Sequence, residues 1–200
     1  MKKLEKKELE SVTNFLFETG MLAKTPRSGF FFLGSGEQSV AEHINRVCYI
    51  GMSLANMAEN VDSAKILNMC LLHDLAEARV SDLNYVHQKY NKRDEKGAVK
   101  DLTSQIFFGS KIKEAIEEYE DRKTVESKIA KDADNLEFIM SLKEQVDIGN
   151  KRALSWIKSA VKRLKTDEAK TLAESILITD SDKWWFEDKE DQWWVNRIKK

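Results

Sequence analysis

His73, Asp74 and Glu77 stand within LLHDLAEARVSDL, residues 71–83, among the apolar neighbours Leu67, Leu71, Leu72, Leu75 and Ala76. An unpaired buried charge costs several kcal/mol, so acids in that setting need a partner. The partner is another side chain or a metal ion. His73 and Asp74 are adjacent, about 100° apart on a helix, so both lean toward one groove. His43 lies in an upstream helical pattern, and Asp132 and Asp134 lie downstream in KDADNLEF, residues 131–138. Two imidazoles with two carboxylates form a mixed N/O donor set. Such a set suits Mn²⁺, Fe²⁺, Co²⁺, Ni²⁺ or Zn²⁺, and four protein ligands leave positions for water and substrate on a six-coordinate ion. Periodicity leaves Asp132 and Asp134 both open, because their helix is apolar on most sides. Taken singly, each residue has a plainer role: a hydrogen-bonded core histidine for His43, pairing with Lys128 or Lys131 for the aspartates. The order H…HD…D on three helices is the specific signal.

The elements that position these residues are helical. The chain has one proline, Pro26, and eight glycines among abundant Leu, Ala, Glu and Lys, which predicts an all-α fold. A first helix is expected over about Lys6 to Ala23, with Leu9, Val12, Phe15, Leu16 and Met21 or Leu22 inward. KTPRSGFFFLGSGEQ then forms an ordered loop. SVAE is a capping box, Ser39 as N-cap and Glu42 three residues on, opening a helix to about Glu59. The next helix starts near Asp62 or Ser63 and carries the HD motif. A loop follows from Asp82 to about Tyr90. Further helices are expected over about Arg93 to Phe108, Ser110 to Glu120, Thr124 to Asp147, and on to about Ile178. Four of the five tryptophans fall in two pairs in the tail, which is expected to pack down because four exposed Trp would make a large apolar patch.

Lys+Arg and Asp+Glu nearly cancel, 33 against 34, which argues against a partner such as a nucleic acid polymer held by bulk charge. The apolar fraction of 42% and charged fraction of 34% are those of a soluble globular chain of one domain. Cys48 and Cys70 both fall in apolar helical patterns and read as free thiols. The first ten residues, MKKLEKKELE, carry no apolar h-region, and no apolar run approaches the roughly 20 residues of a membrane span. A cytoplasmic protein without a membrane partner is expected.

TPRSGF, SVAEH, LLHDLAEA with Asp82 eight residues after Asp74, and KDADNLE follow one another in this order. In these motifs the chain resembles the HD-domain metal-dependent phosphohydrolases. More closely, it resembles the YfbR-like 5′-deoxynucleotidases and their eukaryotic HD-domain-containing relatives. The resemblance covers about residues 10 to 150. It implies an HD-domain helical bundle with a metal site between helices. One HD domain would span residues 1–200, its core at about 10–150 and a helical, Trp-rich extension at about 151–200.

The resemblance also assigns roles. His43, His73, Asp74 and Asp134 would hold one divalent ion (Mn, Co, Mg, Fe, Ni or Zn), the family pattern choosing Asp134 over Asp132. Arg27 matches a phosphate-orienting arginine, and a planar guanidinium suits two phosphate oxygens. Glu77 would orient or deprotonate the attacking water. Asp82 would protonate the leaving 5′ oxygen. Asp82, Leu83, Asn84 and Tyr85 match a segment that lines the nucleotide pocket. In some members an aromatic residue directly follows the arginine and abuts the sugar; here Ser28 takes that place and Phe30 is the nearest aromatic, as in relatives with TPR-x-G-aromatic. His87 has no role in the pattern and is expected in solvent. The implied activity is hydrolysis of (deoxy)nucleoside 5′-monophosphates to nucleoside and phosphate by a homodimer. The alternatives are an HD-type hydrolase of cyclic nucleotides or nucleoside triphosphates, and a regulatory nucleotide- or metal-binding module without turnover.

Overall fold

Side-chain caps and long apolar stripes set the helix boundaries. The computed structural model describes residues 4–188 and 190–197. In chain order the helices are α1 Lys6–Thr19, α2 Phe30–Leu33, α3 Val40–Met57, α4 Ser63–Leu72, α5 Glu77–Val80, α6 Tyr85–Tyr90 and α7 Glu95–Thr103. They continue with α8 Gly109–Asp121, α9 Val125–Asp147, α10 Lys151–Ala160, α11 Asp167–Ile178, α12 Lys183–Phe186 and α13 Gln192–Asn196. Among the described residues the only β pairing is an isolated bridge between Pro26 and Ser39, so the all-α expectation holds.

The capping box at α3 is present. Ser39 Oγ accepts from the Glu42 N–H, and Glu42 Oε2 accepts from the Ser39 N–H at 2.6 Å. Thr124 caps α9 by a single bond, its hydroxyl accepting from the Ser127 N–H.

The hub is α9, which packs against α3, α4, α8, α10 and α11. It is buried on most sides, as a helix surrounded by others must be. Leu54, Ile66, Met69, Leu136 and Ile139 are fully buried there, each worth roughly 1.5–3 kcal/mol of transfer free energy. Ala169 and Ala173 of α11 belong to the same cluster. Gly51 lets α3 approach α4: a Cβ at that position would lie 2.6 Å from Cys70 Sγ. That close approach sets the distance between the elements carrying His43 and His73.

Four local expectations need correction. The HD motif is not on regular helix. After Leu72 the chain tightens to i→i+3 bonds, Leu75 N–H to Leu72 O and Glu77 N–H to Asp74 O, both 3.0 Å. The segment expected as a loop contains α6, because Asn84 accepts from the Val86 and His87 N–H groups and nucleates a short helix. On α1, Leu9 and Leu16 are exposed and Val12 and Phe15 pack inward only in part, while of Met21 and Leu22 it is Leu22 that is buried, as one of the two was expected to be. α1 lies at the margin of the bundle and buries no residue fully; the 3₁₀ turn Gly20–Ala23 that follows winds tighter than an α-helix and carries Leu22 rather than Met21 to the core. The Trp-rich tail is not packed down: Trp184 is 86% exposed, and Trp185 stacks on Phe186 at 5.1 Å and meets Trp194 edge-on at 5.6 Å. These aromatics cover one another, since α12 is only four residues long and presents little surface to the body.

Cys48 and Cys70 are free thiols, and burial pushes both upward in pKa. No described helix is long and apolar enough to cross a membrane.

Candidate functional site

Three helical elements converge on one point. His43 comes from the first turns of α3, His73 from the C-terminal end of α4, and Asp134 from the middle of α9. Their ligand atoms all lie within 4.8 Å of one another. His43 Nε2 is 3.2 Å from Asp134 Oδ1, and Asp74 Oδ2 lies 3.6 Å from His43 Nε2 and 3.3 Å from His73 Nε2.

The other ring nitrogen of each histidine is engaged. His43 Nδ1 meets Glu137 Oε2 at 2.5 Å, and His73 Nδ1 meets the Cys70 carbonyl at 2.9 Å. With Nδ1 of each ring engaged as a donor, Nε2 is the atom turned to the cluster, and a cation bound there would displace any proton it carries. Both Nε2 atoms are buried without a hydrogen-bond partner. Histidine ligands of metals are oriented in this way by a carboxylate or a carbonyl. With two carboxylates beside them, the residues present fit a divalent ion by donor type and by orientation.

Electrostatics reinforce the arrangement. Burial works against ionised Asp134, yet Lys131, His43 and His73 hold its carboxyl well below the usual carboxylate range. Asp74 is likewise lowered against burial, by His73, Arg27 and His43. Burial and Arg27 pull the His43 imidazole down, but Asp134 and Glu137 outweigh them and raise it to about 9. Opposing burial, His43 and Arg46 hold Glu137 at about 2. Tyr119 donates to Asp134 Oδ2 at 3.0 Å and Lys131 Nζ meets the same oxygen at 2.7 Å.

The site opens into a cavity of about 1050 Å³ whose wall carries Arg27, Asp74, Glu77, Asp82 and Asp134. Arg27 Nη1 is 3.3 Å from Asp74 Oδ2, and Arg27 Nε is 3.7 Å from Asp82 Oδ2. Ser28 is buried and donates twice to Asp82, from its N–H to Oδ2 and from Oγ to the carbonyl. These bonds fix the TPRSGF loop against the segment after α5. Ser81, just before Asp82, has φ 62 and ψ 161. That backbone region suits glycine and costs a serine about 1–3 kcal/mol. Arg93 Nη1 donates to the Ser81 carbonyl and to Glu77 Oε1, both at 3.2 Å.

Glu77 Oε2 is buried without a partner. Burial, with Asp74 and Asp82 nearby, raises this carboxyl to about 8 against the pull of Arg27 and Arg93.

The remaining expected residues divide. Phe30 and Asn84 line a side cavity of about 120 Å³ that shares Arg27 and Asp82 with the large one. Asn84 spends its side-chain oxygen on the α6 cap. Leu83 and Tyr85 line neither cavity, and Tyr85 is 73% exposed. His87 is exposed, as expected. Asp132 is fully buried and faces away from the histidines: it accepts from the Lys165 and Thr166 N–H groups and the Thr166 hydroxyl.

Sequence reading missed Glu137 as the His43 orienter, although its place three residues after Asp134 puts both on one helix face. Glu137→Gln should weaken divalent metal affinity by about 10–100-fold. A competition titration against a chelating dye measures this; the melting temperature controls for loss of fold.

A model of the HD domain family matches residues 19–176. The chain belongs to the HD domain family. A 5′-deoxynucleotidase, HDDC2, from Danio rerio is 28% identical over 149 residues, covering 72% of this chain and 74% of its own. The HDDC2 5′-deoxynucleotidase of Dictyostelium discoideum is 34% identical over 119 residues, 54% of this chain and 62% of its own. A conserved hypothetical protein from Pyrococcus furiosus superposes with a TM-score of 0.72 at 29% identity, covering 82% of this chain and 98% of its own. A protein from Magnetospirillum magnetotacticum described as a predicted metal-dependent phosphohydrolase shares the HD fold, with a TM-score of 0.69 at 19% identity over 88% of this chain and 94% of its own.

Proposed function

We propose that this HD-domain chain hydrolyses (deoxy)nucleoside 5′-monophosphates to nucleoside and phosphate. The observation that carries the reading is the pairing of a His43, His73, Asp74 and Asp134 donor set with Arg27 at one cavity mouth, Asp74 Oδ2 being shared between the guanidinium and the histidines. The names of the curated relatives point to the same reaction. In this reading the four residues hold one divalent ion of the Mn, Co, Mg, Fe, Ni or Zn group. When bound, such an ion polarises a phosphoryl oxygen and acidifies a water.

Arg27 binds the phosphoryl oxygens and offsets charge that builds there in the transition state. It is pre-aimed by Asp74 and Asp82, which flank it. Glu77 Oε2 receives the proton of the attacking water. A base poised near the operating pH is suited to that transfer, and the raised Glu77 carboxyl meets the requirement. Asp82, tied to the Ser28 loop, is assigned to the leaving-group side, where it passes to the 5′ oxygen the proton that Glu77 removes from the water. Phe30, in the side cavity with Arg27, takes the sugar-facing place that Ser28 is too small to fill.

Arg27→Ala tests the reading. The folded, metal-loaded variant should lose ~10²–10³ in kcat/KM for a deoxynucleoside monophosphate. Arg27→Lys should recover little, because an ammonium lacks the planar fork. Wild-type kcat/KM in a folded, metal-replete Arg27→Ala protein would remove Arg27 from the mechanism, and no hydrolysis of any monophosphate by the wild type would refute the proposal.

A cytoplasmic homodimer completes the reading. Two free thiols suit a reducing compartment. An apolar groove of about 810 Å³ between α1, α3, α4 and α8 is bordered by exposed Leu16, Tyr49 and Leu71 and offers an apolar face to a second copy. Sedimentation at micromolar concentration should give twice the chain mass, and Leu71→Glu should halve it with metal content unchanged.

A further inference from the structure

The large cavity is far more cationic than a chain of net charge −1 would suggest. Eight Lys and Arg side chains line it against four carboxylates. The carboxylates, Asp74, Glu77, Asp82 and Asp134, gather at one end, where Arg27, Arg93 and Lys131 are paired with them, and Arg122 pairs with Glu120. Lys128, Lys162, Arg163 and Lys165 are different. They line the same cavity, yet among the described residues none has a carboxylate within ion-pair distance. Lys128 precedes Asp134 by six residues on α9, roughly 9 Å along the helix axis. The other three come from the turn between α10 and α11, and the Arg163 guanidinium lies over the Phe138 ring, 5.9 Å from its centroid.

That turn is held in place. Asp132, fully buried in α9, accepts from Lys165 N–H at 3.0 Å, from Thr166 N–H at 2.7 Å and from Thr166 Oγ1 at 2.8 Å. A buried carboxylate is costly unless it is well bonded, and here its bonds fix three cations at a cavity wall. Unpaired cations on one wall of a cavity raise the local potential for anions. One phosphoryl group bound at Arg27 would leave this wall without a counter-charge.

We infer that Lys128, Lys162, Arg163 and Lys165 form a second anion subsite, positioned by Asp132, and that the cavity takes nucleotides with a second phosphoryl group remote from the 5′ phosphate, such as a nucleoside 3′,5′-bisphosphate. The inference rests on the 5′-nucleotide reading above. It concerns affinity for the second phosphate and is therefore measurable without turnover.

The test is calorimetric titration of chelator-treated protein at 150 mM salt with three ligands: dAMP, dADP and deoxyadenosine 3′,5′-bisphosphate. The wild type should bind the bisphosphate at least tenfold more tightly than dAMP and at least fivefold more tightly than dADP. The combined variant Lys162→Gln, Arg163→Gln, Lys165→Gln alters exposed side chains only and should bring the bisphosphate-to-dAMP ratio to within twofold of one. Asp132→Ala separates positioning from bulk charge. Loss of a negative charge alone would strengthen anion binding, whereas loss of the clamp should lower the ratio at least threefold. A wild-type ratio below three, equal gains for dADP and the bisphosphate, or a triple variant that keeps the preference would each overturn the subsite. A preserved preference in a protein that hydrolyses no monophosphate would refute the proposed reaction and leave the subsite standing.

Discussion

Asp134→Ala protein, refolded or dialysed against Mn²⁺ or Co²⁺, retains no stoichiometric metal and loses phosphomonoesterase activity by at least about 10³-fold. Several kcal/mol of transition-state stabilisation depart with Lewis-acid and water-activating chemistry, and each 1.36 kcal/mol is tenfold in rate. Exhaustive chelation of the wild type should act in the same way, with activity restored by Mn²⁺ or Co²⁺. It should also lower the melting temperature, since an ion that binds only the folded site stabilises it by mass action. Asp132→Ala provides the contrast. It should keep its metal while melting lower, because the Lys165 and Thr166 donors lose their acceptor at a cost of roughly 1–3 kcal/mol for a buried group left unpaired. Metal analysis by mass spectrometry beside thermal denaturation reads both variants. Equal metal loss in the two would mean that the helix register does not select Asp134.

Glu77→Gln should lower kcat by ~10²–10⁴, the range for a positioned general base, with metal content retained. The same substitution should stabilise the chelated protein at alkaline pH. Burial, Asp74 and Asp82 raise the Glu77 carboxyl from 4.5 to about 8, so the folded state holds this proton more tightly than the unfolded chain does. The stabilising contribution is complete below about pH 4.5 and is lost as pH rises through 8. At pH 9 the wild type carries a carboxylate whose Oε2 is buried without a partner, and a neutral amide avoids that charge. A gain of about 2 kcal/mol corresponds to roughly 4–8 °C in Tm for a chain of this size. The Tm difference between variant and wild type should be smallest near pH 4.5, grow up to about pH 8 and level off above it. A difference that stays flat across that range would mean Glu77 is ionised throughout, and the base would then need no raised carboxyl.

The sequence by itself determined the helical fold, the α3 capping box and the order of the chemical groups. Those features are local: one proline in 200 residues, a Ser and a Glu three apart, and an apolar period that repeats within each helix. It also put His43 on one helical pattern, His73 with Asp74 on a second and Asp132 with Asp134 on a third, which is why a candidate donor set could be drawn up from residue types and order. Tertiary structure decided the rest. Asp132 and Asp134 differ by two positions on a helix buried on most sides, so periodicity could not separate them. Their partners do: Lys165 and Thr166 lie more than thirty residues from Asp132, and Asp134 meets His43 across two helices. Glu137 acquired its role only when α3 placed His43 Nδ1 against it. The tightened turn at His73 and the α6 cap at Asn84 arise where short-range hydrogen bonds outcompete the apolar pattern. The cationic wall was invisible for a related reason. Its residues come from two distant segments of a nearly neutral chain, and only the packing of α9 against the turn before α11 brings their charge to one face of the cavity.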